Sequence, residues 1–244
     1  MTKQAGMGDN FYVSGYDLSG DIGSLSRIGG GPAPLEVTGI DKSGFERLGG
    51  ERDGAMEFSA WFNPDATAAH GRLSLLPTTD QIVTYARGTT LGNPAASQVA
   101  KQINYDPNRG EDGSLAIAVS SLANGFGLEW GEQLTAGKRS DTTATNGTGV
   151  DFLASTSFSW QAWLHVFSFT GTSVTVTLED SADNISFAPF TGSAFTAATG
   201  ITSQRLPGGA LATVRRYVRA VTTGTFSQAT FSVMFTKNKT LTAF

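Results

Sequence analysis

With no cysteine in the chain, its two histidines are the first residues to test for chemistry. His70 follows Ala68 and Ala69, and His165 lies inside the apolar run AWLHVF. A metal site would need carboxylates around one of them, yet neither H-x-x-E nor H-x-x-H occurs. Thiolate ligands and disulfides are excluded outright. No G-x-S-x-G elbow supports a Ser-His-Asp hydrolase. Both histidines read as structural, and no catalytic, cofactor-binding or metal residue is expected.

Other clusters have two readings each. Asp180, Asp183 and Asn184 bring oxygen ligands together, but D-S-A-D-N lacks the glycine and distal glutamate of a calcium loop, and these are ordinary turn residues. Arg215 and Arg219 share one face of an alternating strand with Tyr217 between them, so they form a polyanion patch or a solvated or interface face. Trp130, Trp160 and Trp163 could stack on a sugar; without polar platform residues around them, core or interface burial is the better reading. The triple glycine of residues 29–32 lacks GxxxxGK[ST] spacing and reads as a loop rather than a phosphate cradle.

The elements that position these residues are strands. The segment VTGIDKSGFERLGGERDGAMEFSAWF (residues 37–62) is expected to be central. Met56, Phe58, Ala60 and Phe62 alternate with Glu57, Ser59 and Trp61, the period of a strand with one buried face. Gly49 and Gly50 are expected at the preceding reversal. Between the strands lie Asp41, Lys42, Glu46, Arg47, Glu51, Arg52 and Asp53, charged densely enough to face solvent or a neighbouring subunit. A short helix is expected over residues 66–75, capped by Asn63 or Asp65 and ended by Pro77. Further strands are expected at 81–87, 98–104 and 115–122, with 106–114 a turn.

A boundary is expected near residues 124–127, dividing the chain into 1–125 and 126–244. Residues 138–149 read as a surface loop. Strands then follow at 162–169, 173–178, 194–198, 204–206, 215–222 and 230–235, with residues 170–172 as a turn, and this rhythm indicates a β-sandwich of jelly-roll-like kind. Both ends, 1–8 and 236–244, read as arms. The fold class is all-β with one short helix.

The chain has 244 residues, 30 of them glycine, and a formal charge of −4. Residues 1–125 carry 9 basic and 14 acidic side chains, the remainder 8 and 7, so the first half is the acidic one. That argues against direct binding of nucleic acid. The first ten residues lack an apolar h-region and no apolar run approaches a membrane span, so a product of the cytoplasm is expected.

The segments GDNFYVSGYDLSGDIGSLS, VTGIDKSGFERLGGERDGAMEFSAWFN, QINYDPNRGEDGSL and GLEWGEQLTAGKR, in this order and with the helix among them, resemble the major tail proteins of long-tailed bacteriophages, most nearly those of siphophages with actinobacterial hosts. The resemblance implies a homo-oligomer of stacked hexameric rings forming a tail tube, in contact with other tail proteins, through which DNA passes unbound. It implies a tube domain over residues 8–125, a β-sandwich with a flanking helix and a loop at residues 43–54 that reaches the next ring. VTVTLEDSADNISF and RRYVRAVTTGTFSQATFSVMF resemble the β-sandwich modules of phage virion proteins. Whether that module decorates the tube or belongs to its wall stays open. An acidic lumen suits a conduit that must not hold DNA, and Glu36 and Glu57, at outward strand positions, are the expected lumen residues. A carbohydrate-binding or host-adhesion module is the competing reading, and an enzyme has little support.

Overall fold

Sixteen strands and one short helix make up residues 5–240, the part of the chain described by a computed structural model. In the first half these are β1 (Asn10–Val13), β2 (Tyr16–Asp17), β3 (Ile22–Glu36), β4 (Arg47–Trp61), α1 (Ala69–Leu73), β5 (Gln81–Ala86), β6 (Pro94–Gln102), β7 (Asp106–Arg109) and β8 (Leu115–Ala123). Next come β9 (Glu129–Gln133), β10 (Arg139–Asp141), β11 (Thr145–Asn146), β12 (Val150–Asp151), β13 (Trp160–Ser181), β14 (Ala188–Ala194), β15 (Thr202–Pro207) and β16 (Tyr217–Lys237). The protein is all-β, its strand pairs antiparallel.

In the first half, β2-β1-β5-β6 faces β3-β4-β8-β7, and β6 also pairs with β8. Phe11, Met56, Phe58, Val83, Ile117 and Val119 fill the space between them, and Ala69 and Leu73 of α1 close one end. The helix is shorter than expected and differently capped. Neither Asn63 nor Asp65 receives its first N–H; Asp21 does, accepting from Ala69 N at 2.9 Å while Asn63 Nδ2 holds its other oxygen at 2.9 Å. A cap supplied from 48 residues away leaves no local signature.

The second half is built on one long ribbon. β13 and β16 pair from Trp160↔Lys237 to Ser181↔Tyr217. The expected turn at residues 170–172 is absent: β13 continues as one strand, with register shifts on either side of Gly171. Gly171 (φ 151°) and Gly224 (φ 123°) allow the bend, and a Cβ at Gly224 would lie 2.3 Å from Ser173 O. The bend makes two leaves. One adds β15 beside residues 161–166 of β13, and β10 and β9 beside the end of β16; the other adds β14, β11 and β12. Trp160, Leu164, Val176, Leu178, Val218, Phe231 and Phe235 fill the space between the leaves. Residues 138–149, expected as a loop, contribute β10 and β11 to the edge of β16. The expected strand at residues 194–198 falls earlier, at β14, and leaves only a single bridge at Ala198.

The halves are joined through backbone and side chains. β9 pairs with β6 on one side and β16 on the other. Tyr12, Ile82 and Val99 meet Trp163 and Met234 in a third apolar cluster. This is why residues 160–166 of β13 are buried on both faces. Of the two expected arms, residues 1–4 and 241–244 lie outside the described residues. Thr236 and Lys237 belong to β16, and Asn238 is buried, donating to Phe158 O at 3.0 Å.

Candidate assembly interface

The β3–β4 hairpin is the feature that leaves the body. Its base is apolar and buried: Ile28 pairs with Met56, and Phe58 and Ala60 point into the core. Outward from Gly30↔Gly54 the pairs are Gly31↔Asp53, Pro32↔Arg52, Pro34↔Gly49, Leu35↔Leu48 and Glu36↔Arg47. Six residues at about 3.3 Å each carry the free ladder about 20 Å from the body, and residues 37–46 close it. The expectation that residues 29–32 form a loop and that Gly49 and Gly50 make the reversal is therefore corrected. All six are strand residues, and the reversal lies at 37–46. The glycines serve close approach instead: a Cβ at Gly30 would stand 2.6 Å from Asp53 O, and one at Gly50 would stand 2.8 Å from Ala33 O.

The hairpin holds the expected charged residues, three of which, Asp41, Lys42 and Glu46, pair with one another. Lys42 Nζ lies 3.9 Å from Asp41 and 3.6 Å from Glu46. Glu36 sits opposite Arg47, whose guanidinium lies 4.9 Å from the Phe45 ring centre. Arg52 turns back to pair with Glu129, and Asp53 Oδ1 accepts from Gly54 N at 2.7 Å. Glu51 is exposed. Glu57 pairs with Arg27 at 3.4 Å. Glu57 thus has an ion-pair partner, of an exposed kind that contributes little to stability, whereas Glu36 only faces Arg47 across the ladder.

Charge patterning hid a second property of the hairpin. Leu35, Val37, Ile40, Phe45 and Leu48 are all exposed, Phe45 to 68% and Ile40 completely. Five large apolar side chains on one projection form a patch that solvent does not favour. The signal was in the sequence, as apolar residues interspersed among the charges, but a charge count passes over it.

The hairpin also borders an open sheet. In β3-β4-β8-β7, β3 pairs only with β4 and β7 only with β8 among the described residues. Pro32 and Pro34 lie on the first edge strand and Pro107 on the second, and β3 carries three register shifts. Between the edges, the face away from the core presents Ser59, Ala118 and Ser120 around the Arg27–Glu57 pair, with the exposed Trp61 and Leu122 toward its two ends.

The remaining candidates have structural partners. His165 is buried; its Nδ1 accepts from Gly15 N at 3.1 Å, so its Nε2 carries the proton toward Thr84 Oγ1 at 2.9 Å, and Thr84 meets Ser97 at 2.6 Å. Burial lowers its pKa to about 3, which keeps the ring neutral. His70 Nδ1 lies 2.6 Å from the Tyr105 hydroxyl. Asp180 accepts from Arg215 N at 2.8 Å and Arg215 Nε at 2.7 Å. Asp183 accepts from the N–H groups of Ile185 and Ser186, both at 2.9 Å, and these bonds lower its pKa to about 2. Arg216 pairs with Asp151 and Arg219 with Glu179, both at 2.6 Å, so each arginine of the expected patch has its own carboxylate. Trp160 and Trp163 are buried, whereas Trp130 is half exposed beside Tyr85. No group of three or more His, Asp or Glu side chains among the described residues could hold a metal ion. No helix among them is long and apolar enough to cross a membrane.

No protein-family model and no curated protein matches the chain. Among solved structures, it is similar to a chain in the tail of an empty gene transfer agent particle with C6 symmetry (14% identity, 45% of this chain and 81% of that one, TM-score 0.36). It is also similar to a chain of the native gene transfer agent virion (13% identity, 52% and 98%, TM-score 0.39). The Dit protein of phage SPP1, described as a hub adsorption apparatus, is similar over more of the chain (13% identity, 93% and 98%, TM-score 0.34). Scores of this size do not establish a shared fold.

Proposed function

We propose that this chain is a structural subunit of a bacteriophage tail that joins head to tail with copies of itself into stacked rings, forming the tail tube. The observation that carries the reading is the four-stranded sheet β3-β4-β8-β7, open at both edges and extended by a hairpin with an exposed apolar end. Two unlike edges on one subunit make a heterologous contact, which closes into a ring or runs on as a filament. Adding the four residues of β7 from one copy to part of the β3 edge of the next would pair some of the backbone groups that both edges leave open. The apolar hairpin end then supplies a second contact along the stack. The resemblance in segment order supports the same role, and under it residues 8–125 form the ring while residues 126–244 are a second module.

On this reading, the DNA-facing surface is the outer face of that sheet, where Ser59, Ala118 and Ser120 lie beside the exposed Trp61 and Leu122 and Glu57 is offset by Arg27. With Arg27 paired to Glu57, this face gives no array of cations to release phosphate counterions. The reading assigns no catalysis and no cofactor. A carbohydrate-binding role has less behind it, because Trp160 and Trp163 belong to the core. Negative-stain microscopy of the purified chain tests the proposal: rings or tubes are expected. Monomers at high concentration that are retained on a glycan column would overturn it.

A further inference from the structure

Residues 126–129 cross from the first half to the second, and each of them grips something. Phe126 lies under the guanidinium of Arg205, whose carbon is 3.6 Å from the ring centre. Arg205 belongs to β15 of the second half, and its Nε and a terminal nitrogen both donate to Gln161 Oε1, at 2.9 and 2.6 Å. Gly127 passes against Arg52, where a Cβ would stand 3.1 Å from Arg52 Cβ. Leu128 is buried over the facing glycines Gly30 and Gly54; a Cβ at those positions would come within 3.0 and 2.6 Å of Leu128 Cβ. Glu129, also buried, holds Arg52 in an ion pair. Gly30↔Gly54 is the rung at which the hairpin leaves the body, and Arg52 is on the second rung beyond it.

From these contacts we infer that residues 126–129 are a clamp through which the second half sets the direction of the β3–β4 hairpin, with Arg205, Phe126 and Glu129 as its positioning residues. A two-stranded ribbon projecting from a sheet is free to swing about its last packed rung. Here that rung is covered by Leu128, and the next charged position is tied back through Glu129. The chain that carries Leu128 and Glu129 is in turn held to β15 by the arginine–aromatic stack. Arginine suits the position because its planar group stacks on Phe126 while its fork reaches Gln161, which a lysine cannot reproduce. Residues 126–244 thus act on the hairpin's aim. The inference rests on the hairpin alone and holds whatever the hairpin docks against.

The absence of cysteine makes the test clean. Spin labels at Ile40→Cys, on the hairpin end, and Ile185→Cys, on an exposed turn of the second half, report the distance between them in the full chain, diluted with unlabelled protein. A single narrow distance distribution is expected. Arg205→Ala and, separately, Phe126→Leu are each expected to at least double its width while the far-UV spectrum and melting midpoint of the chain stay close to the parent's. Phe126→Tyr, which keeps the stack, should restore the narrow distribution. An unchanged width in both truncations overturns the clamp. So does a loss of folded signal in both, which would make these residues part of the fold rather than of the hairpin's aim. Because the readout needs no assembly, failure to form tubes leaves it intact.

Discussion

The molecule contains two long antiparallel ribbons with opposite fates. The β13–β16 ribbon, with strands of 22 and 21 residues, bends at glycines and closes around a core. The β3–β4 ribbon, with strands of 15 residues, is packed only along its base and projects for the rest. Length does not decide between wrapping and projecting. The inward positions of β13 on both sides of its bend are Trp160, Leu164, Val174, Val176 and Leu178, so folding the ribbon buries apolar surface twice over. Beyond Gly54, β4 offers Arg52 and Glu51, then Gly50 and Gly49, and has no such inward row.

The comparison breaks first at the wrapped ribbon. Trp160 stacks on Phe235 at 5.7 Å and meets Phe190 edge-on at 5.0 Å. Trp160→Ala should cost about 3–5 kcal/mol, read by urea unfolding, and a change below 1 kcal/mol would show that the leaves do not share this core.

Acid should act on the joint between the halves. The folded His165 binds its proton well below the ordinary histidine value, so the unfolded chain binds more protons between about pH 6.5 and pH 3. Its contribution is therefore complete above that window and lost as pH falls through it, at about 1.4 kcal/mol per pH unit. His165→Gln should remove that slope between about pH 6.5 and 4.5, above the range where most carboxylates titrate. A parent and a variant with the same slope there would mean that the ring is not buried neutral.

At the wrapped ribbon's bend, Gly224→Ala should cost about 1–3 kcal/mol through its positive φ and its approach to Ser173 O. Gly49→Ala in the projecting ribbon, where the nearest atom to a new Cβ is Pro32 Cβ at 3.4 Å, should change the melt by less than about 0.5 kcal/mol. Equal costs would erase the contrast.

The smallest effect on folding should come with the largest effect on assembly. Ile40→Ser with Phe45→Ser should leave stability within about 0.5 kcal/mol, yet reduce association measured by sedimentation. Replacing residues 37–46 by a two-residue turn should do the same. Residues 51–54 must be left in place, because Gly54 is buried in β4. Normal assembly by either variant would remove the hairpin end from the interface.

How much of this was legible follows the range of each interaction. The alternation from Met56 to Trp61, the strand at 115–122 and the helix near His70 were read from local signals and are present, but Phe62, expected on the buried face, lies beyond β4 and is exposed. Gly-rich runs misled wherever the structure uses glycine for close approach, as at Gly30, Gly50 and Gly171, because the same residue also spells a turn. Asp21 capping a helix 48 residues away, Arg205 stacking on Phe126 and Leu128 on facing glycines depend on partners distant in the chain. At the hairpin, the charges were read and the five apolar residues between them were not, so only half of the candidate interface was visible.

The prolines of the open sheet have a consequence for timing. An edge that offered an unbroken row of backbone groups would capture the first strand it met, including those of half-folded copies. Pro32, Pro34 and the register shifts of β3 interrupt that row, and β7 is only four residues long, with Pro107 among them. Such edges are poor partners for arbitrary strands and slow to start with one another. If the chain assembles as proposed, it should accumulate as separate subunits and grow fastest on an end where several contacts form together, so that polymerisation shows a lag that a preformed seed abolishes.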